Sequence, residues 1–297
     1  MHISRLLVVY KKSYYELYGY EKRERDLETL PAQQRPMIQA MRLSHEENQH
    51  TLTAVCHALD TLNVSYDCLY RGDLKPVTGY DLILSVGGDG TLLEVARYAG
   101  DLPVLGVNSD PSRSTAFFCA ADRFNIAACL GALLAGTLHQ ILLARLQLAL
   151  NDTVLPFYAL NDILIAQSNP AAMASYTLCL DGISETQKSS GIWIATAAGS
   201  TAAIRSAGGH VLPLRSQKRQ YLVREPYTSN DRPYRFLHGT LPPDVPLELI
   251  SRMRRGRLFL DGPHLRYPLG LGDTLCVTLA PSPLRLVGIN GERQQQF

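Results

Sequence analysis

Three stretches of this chain combine residue types and spacings able to do chemistry. The first is Gly87-Gly88-Asp89-Gly90-Thr91, which follows an apolar run at 82–86 and leads into a helix-forming segment. Glycine gives the turn access to positive φ and lets a ligand approach the backbone with no Cβ in the way, while the amides of a starting helix turn unpaired N–H groups toward it. Such a strand, turn and helix suits a phosphate, with Thr91 expected as the helix N-cap. Asp89 is out of place in a turn that only binds phosphate, because the charges repel. It belongs there if it holds a metal ion or takes a proton from an attacking hydroxyl. An Asx turn accounts for the same residues without any chemistry. The spacing matches neither GxxxxGK[ST] nor G-x-G-x-x-G, so the loop is not a standard nucleoside-triphosphatase or hydride-transfer fingerprint.

The second stretch is Asn161-Asp162, placed before the apolar Ile163-Leu164-Ile165. An amide side chain offers both donor and acceptor to an adenine edge, and a neighbouring carboxylate accepts the two hydroxyl protons of a ribose diol; turn formation explains the pair almost as well. The third runs from Thr196 through Gly199-Ser200-Thr201-Ala202-Ala203 to Ser206-Ala207-Gly208-Gly209. A strand, a turn of small residues and a helix opened by Ser or Thr would present amides and hydroxyls to a polar ligand, and the alanines leave room for a flat group.

The elements that position these residues follow from hydrophobic periodicity. Short apolar strands at 6–10, 64–70, 81–86 and 103–107 alternate with turns and helices, which means a parallel sheet covered by helices, with ligands collecting at its carboxyl edge. Residues 11–43 read as irregular, and a helix is expected from Ser44 to about Leu62 with Leu52, Val55, Cys56 and Leu59 on one stripe. From Ile141 the pattern changes to strict alternation, with turn-rich breaks, the signature of antiparallel strands. The expected architecture is α/β plus β: a Rossmann-like α/β domain over 1–137, a mostly antiparallel, sandwich-like β domain over 138–271, and a segment, 272–297, returning to the first domain.

Composition excludes several classes. Twenty-nine Lys and Arg against twenty-seven Asp and Glu leave a formal charge of +2, so no general attraction to nucleic acid or an anionic membrane is expected. The six cysteines are scattered without a CxxC, as in a reduced interior. No apolar run reaches the length of a signal-peptide core or a membrane span, and a cytoplasmic protein is expected. His45-Glu46 starts like a zinc-protease helix, but Gln49 stands where the second histidine is required.

The motifs together resemble the NAD kinase family, and within it the plant-type NADH kinases. Gly87-Gly88-Asp89-Gly90-Thr91, Gly106-Val107-Asn108, Asn161-Asp162, and Gly199-Ser200-Thr201-Ala202 with Ser206-Ala207-Gly208-Gly209 match that family's motifs in order, and VLGVNSDP, ALNDILIA, TAAGSTAA and LVREP match its plant type. The resemblance implies transfer of a phosphoryl group from ATP to the 2′-hydroxyl of the adenosine ribose of NAD or NADH. It implies Asp89 as base or orienter of that hydroxyl, phosphates at Gly87, Gly88, Gly90 and Thr91, and dinucleotide contacts at Asn108, Asn161, Asp162, Ser190, Thr201, Ala202, Ala203 and Ser206. Magnesium or another divalent cation is expected with the donor, since no lysine accompanies the loop, and a homodimer or tetramer is implied. Ser190 and Ala203 replace the Asp and Tyr of the commoner bacterial pattern, which should relax selection for the cationic oxidised nicotinamide. A lipid kinase of the diacylglycerol kinase type shares the glycine-aspartate loop, and a dinucleotide-sensing protein without turnover would keep every pocket.

Overall fold

The computed structural model describes residues 3–21, 35–227 and 233–291. The chain divides into two compact units, 1–141 with 285–290 and 142–284 with 291–297.

In the first unit the elements run β1 (Arg5–Tyr10), α1 (Tyr14–Glu21), α2 (Arg35–Thr61), β2 (Ser65–Tyr70), β3 (Leu82–Gly87), α3 (Asp89–Tyr98), β4 (Val104–Asn108), β5 (Cys119–Asp122), α4 (Ile126–Leu134) and β6 (Gln140–Leu143). The sheet order is β2-β1-β3-β4, then the late strand β19 (Leu284–Val287) and β6, with β5 also paired to β4. Pairing is parallel from β2 through β4 and on to β19, with Tyr10 opposite both Tyr70 and Val86, and Gly87 opposite Asn108. Successive residues Leu6 to Val9 are all buried, as strands covered on both faces require. Val55 and Leu59 of α2 join Ile126, Leu130 and Leu133 of α4 over Leu6, Val8, Leu84 and Val107.

Two parts of 11–43 are helical, which the sequence reading missed. α1 begins after Ser13, whose hydroxyl accepts the Glu16 amide at 3.0 Å, an N-cap in an otherwise featureless tyrosine cluster. α2 starts at Arg35 rather than Ser44; Pro36 does not stop it, because an imide nitrogen in the first turn has no intrahelical bond to lose. The charge run from Glu21 and Pro31 falls, apart from Glu21, outside the described residues. His45 donates to or accepts from the Ser13 hydroxyl at 2.9 Å and so tethers α2 to the start of α1.

The second unit is antiparallel. Its strands are β7 (Leu146–Leu150), β8 (Thr153–Val154), β9 (Asp162–Gln167), β10 (Ala174–Leu180), β11 (Ile183–Ser189), β12 (Gly191–Ala195), β13 (Arg219–Arg224), β14 (His238–Leu241), β15 (Leu247–Ser251), β16 (Gly256–Leu260), β17 (Leu265–Leu269) and β18 (Thr274–Leu279), with a one-turn helix α5 (Ala203–Ser206) after β12. They form two six-stranded sheets, β11-β10-β15-β18-β7-β8 and β14-β13-β12-β9-β16-β17. Alternate residues of both sheets, among them Leu148, Tyr176, Leu249, Val277, Ile163, Ile194 and Leu258, fill one core. Residues 274–279 belong to the first of these antiparallel sheets, and among the described residues of the closing segment it is β19 that joins the parallel one.

Candidate active site

In the first unit the functional candidates stand at the carboxyl ends of parallel strands. Gly87 closes β3, Gly88 is the N-cap of α3, and Asp89 is its first helical residue. The N-cap expected at Thr91 is therefore displaced by three residues: the Gly88 carbonyl accepts the amides of Thr91 (3.0 Å) and Leu92 (3.2 Å), and Thr91 lies buried in the first turn, where the Arg71 guanidinium reaches its hydroxyl at 3.4 Å. Nor is positive φ the reason for these glycines. Among the described residues the positive-φ glycines do not include 87, 88 or 90. Gly87 is needed for proximity, since a Cβ there would lie 2.5 Å from the Thr91 Cβ, whereas no described residue stands within 4 Å of a Cβ at Gly90.

Asp89 points its carboxylate along the backbone of a distant segment. Oδ2 accepts the Phe117 amide and Oδ1 the Phe118 amide, each at 2.9 Å. Those consecutive N–H groups converge because Ala116 sits at φ +43°, a left-handed conformation that costs an alanine roughly 1 kcal/mol. The Phe117 and Phe118 rings, edge to face at 5.1 Å and buried, hold the segment in place. Asn108 is occupied with a similar task. Its side-chain amide donates to the Ser114 carbonyl (2.8 Å) and its Oδ1 accepts the Asp110 amide (3.1 Å), shaping the loop after β4.

The cations at this edge carry no mark in the sequence, because they are remote along the chain from the glycine turn. Lys11 follows Tyr10 out of β1, and its amide donates to the Val86 carbonyl at 3.3 Å; burial holds its ammonium below the usual lysine range, against the opposing pull of Asp110. Arg71 leaves β2 at the same edge and pairs with Glu94 at 3.1 Å. Among the described residues no three His, Cys, Asp or Glu side chains converge to hold a metal.

In the second unit Asn161 and Asp162 lie at the entry to β9. Both are buried, at 9% and 5% exposure, and Asn161 Oδ1 has no hydrogen-bond partner among the described residues. A buried acceptor left open costs about 1–3 kcal/mol, which a ligand donor would recover. The Asp162 carboxyl is pushed up to about 7, first by burial and then by the charge of Asp261. The turn is clamped by Thr196, whose hydroxyl donates to the Leu160 carbonyl (2.5 Å) and whose amide donates to the Asn161 carbonyl (3.0 Å). Gly199 packs directly on the Asn161 backbone.

The third stretch folds less openly than expected. Ala198 to Thr201 is a 3₁₀ turn and α5 is a single helical turn, too short for a helix-end anion site. Ser200 and Thr201 donate their hydroxyls to the carbonyls of Ala197 (2.6 Å) and Ala198 (3.4 Å) instead of offering them outward. Thr201 and Ala202 are half-buried, while Ala203 and Ser206 are exposed. Ser190 is half-buried, its amide bonded to the Arg224 carbonyl at 3.0 Å; its neighbour Ser189 is buried against the Tyr176 hydroxyl.

A parallel α/β unit with a Gly-Gly-Asp turn at its carboxyl edge, followed by an antiparallel β unit, makes up a fold that two solved structures share. One is an NAD kinase from Archaeoglobus fulgidus in complex with ATP (TM-score 0.69, 19% identity, 99% of this chain and 96% of that one), the other yeast NADH kinase complexed with NADH (TM-score 0.73, 17% identity, 100% and 86%). Residues 24–127 match the model of the ATP-NAD kinase N-terminal domain. The chain is 38% identical to the NADH kinase of Arabidopsis thaliana, over 71% of this chain and 74% of that protein. It is 34% identical to an Oryza sativa protein described as "Probable NADH kinase", over 81% of each. The chain belongs to the NAD kinase family.

Proposed function

We propose that this protein transfers the γ-phosphoryl group of ATP to the 2′-hydroxyl of the adenosine ribose of NADH or NAD, giving NADPH or NADP. The observation that carries this reading is the fixed Asp89 carboxylate in the turn that opens α3, within a chain similar to NADH kinases over most of its length. A carboxylate has about four acceptor positions; the Phe117 and Phe118 amides take two and set its plane. The 2′-hydroxyl donates its hydrogen bond to that carboxylate as its oxygen bonds to the γ-phosphorus. The bond from phosphorus to the β,γ-bridging oxygen breaks, ADP leaves with the electron pair, and the hydroxyl proton passes to Asp89.

The donor is read as a magnesium complex of ATP, the cation held by the phosphates of the substrate. Its charge is met by the amides after Gly88 and by Lys11 and Arg71 at the same sheet edge. Asn161 and Asp162 serve the dinucleotide, the amide completing its open acceptor and the carboxylate taking ribose hydroxyl protons. Thr201, Ala202, Ala203 and Ser206 line the dinucleotide pocket and Ser190 lies near its nicotinamide end, while Asn108 acts by shaping its loop. A homodimer or tetramer and a cytoplasmic location complete the proposal; six free thiols support a reducing compartment. Among the described residues no helix is long and apolar enough to cross a membrane. The test is direct: purified protein with ATP, magnesium and NADH or NAD should form NADPH or NADP, and absence of both products overturns the reading.

A further inference from the structure

Asp261 lies just after β16, in an Asp-Gly turn with left-handed backbone at both residues, φ +50° and, for Gly262, +99°. Asp-Gly is an ordinary hairpin turn, and nothing in the sequence marks this one as more. Its carboxylate, however, is engaged about a hundred residues away in the chain. Oδ2 accepts the Leu160 amide at 2.8 Å, and Oδ1 accepts the amides of Asn161 (2.7 Å) and Asp162 (3.2 Å). The Asp261 amide returns a bond to the Asp162 carbonyl at 3.0 Å.

Leu160 and Asn161 precede β9, and Asp162 is its first residue, opposite Ala195 of β12 but ahead of the β16 ladder that starts at Ile163; their amides find an acceptor in the Asp261 side chain. Thr196 secures the carbonyl side of the same turn, and Asp261 secures the amide side. With both sides held, the Asn161 and Asp162 side chains keep one placement in a buried setting.

We propose that Asp261 is a positioning residue for dinucleotide binding: by accepting the amides of Leu160, Asn161 and Asp162, its carboxylate fixes the turn that presents the Asn161 and Asp162 side chains. This rests on the reading of those two residues as dinucleotide ligands. Asp261 also acts on Asp162 through its charge. Among the described residues it is the charged group that adds to burial in opposing ionisation of Asp162. A neutral carboxyl accepts fewer hydroxyl protons than a carboxylate, so affinity for the ribose should rise with pH through about 7.

The experiment measures NADH affinity as a function of pH, by titration calorimetry, for wild type, Asp162→Ala and Asp261→Asn, with the KM for ATP alongside. Asp261→Asn keeps the shape but sets an NH2 group among N–H donors. At pH about 8 its NADH Kd should rise on the order of tenfold, with the ATP KM unchanged. The midpoint of its pH dependence should move below that of wild type. A role confined to stability would lower the melting temperature and leave the midpoint in place.

Wild-type Kd and midpoint in a folded Asp261→Asn protein, with Asp162→Ala weakened, overturn the role of Asp261 alone. An unchanged Kd in Asp162→Ala overturns the dinucleotide reading itself. If Asp261→Asn does not fold, amide hydrogen exchange in the wild-type protein decides: slow exchange at Leu160, Asn161 and Asp162 supports the clamp, and fast exchange refutes it.

Discussion

Gly199 lies directly against the backbone of Asn161: a Cβ at position 199 would come within 2.6 Å of the Asn161 Cα and closer still to its carbonyl carbon and oxygen. Neither side is a flexible side-chain end, so the backbone itself would have to move. Gly199→Ala should therefore cost about 1–3 kcal/mol of stability and weaken NADH binding, because the displaced turn carries the open Oδ1 of Asn161. Thermal unfolding and titration calorimetry on the same sample check both effects; a variant with wild-type melting and affinity refutes the contact.

Gly90→Ala separates packing from ligand approach. A Cβ there meets no described residue within 4 Å, and Gly90 lies in the first turn of α3 with ordinary φ. Alanine should leave stability unchanged or raise it by up to about 1 kcal/mol through helix propensity. If phosphates pass close over this backbone, kcat/KM for ATP falls nonetheless. Loss of stability would mean that the site is more crowded than the geometry allows.

Asp89→Asn should lower kcat by roughly two orders of magnitude or more, with a smaller effect on the Kd for NADH. The amide is nearly the same size, but it cannot take the hydroxyl proton, and its NH2 group opposes the Phe117 or Phe118 N–H. Asp89→Ala removes both functions and should also loosen the Phe117-Phe118 segment, visible as faster amide exchange there. Near-normal turnover in either variant would remove Asp89 from the chemistry.

Asp162 predicts an unusual pH dependence of stability. Its carboxyl titrates near 7 in the folded protein and near 4 when unfolded. Between those values the folded chain binds more protons than the unfolded one, so this group makes stability fall as pH rises from about 4 to 7 and then level off. Asp162→Asn should remove that slope, stabilising the protein above pH 7 by up to ~4 kcal/mol, with the gain vanishing toward pH 4. Urea unfolding across that range measures it; identical curves for both proteins would place Asp162 in a solvated setting.

Ser190→Asp should shift substrate preference toward the oxidised dinucleotide. A carboxylate near a partly desolvated nicotinamide favours its positive charge by roughly 1 kcal/mol, about fivefold in the ratio of kcat/KM values. Wild type should phosphorylate NADH at least as efficiently as NAD. An unchanged ratio in the variant shows that residue 190 does not face the ring.

Much of this protein was legible in its sequence, because the relevant information is local. Apolar runs of strand length in β1 and β3, the second followed by a glycine turn and a helical stripe, dictate parallel strands covered by helices. The alternation from Ile141 onward dictates antiparallel strands, since side chains of a pleated strand take opposite faces. The order of the glycine-aspartate, Asn-Asp and Gly-Ser-Thr-Ala motifs pointed to the NAD kinase family. Local rules also misled: Thr91 looks like an N-cap, yet the helix begins earlier at Asp89, where two remote amides complete its carboxylate.

What only the tertiary structure decided is which polar groups meet across long stretches of chain. Phe117 and Phe118 reach Asp89 through the β4 to β5 crossover, and Asp261 reaches Leu160, Asn161 and Asp162 because β16 lies beside β9. Lys11 and Arg71 come to the edge occupied by Gly87 because β1 pairs with both β2 and β3. Hydrophobic periodicity specifies elements and their buried faces, but a carboxylate and a backbone amide carry no periodic mark. Their pairing is fixed by strand order and register, where burial makes an unmatched N–H or carboxylate too costly to leave open.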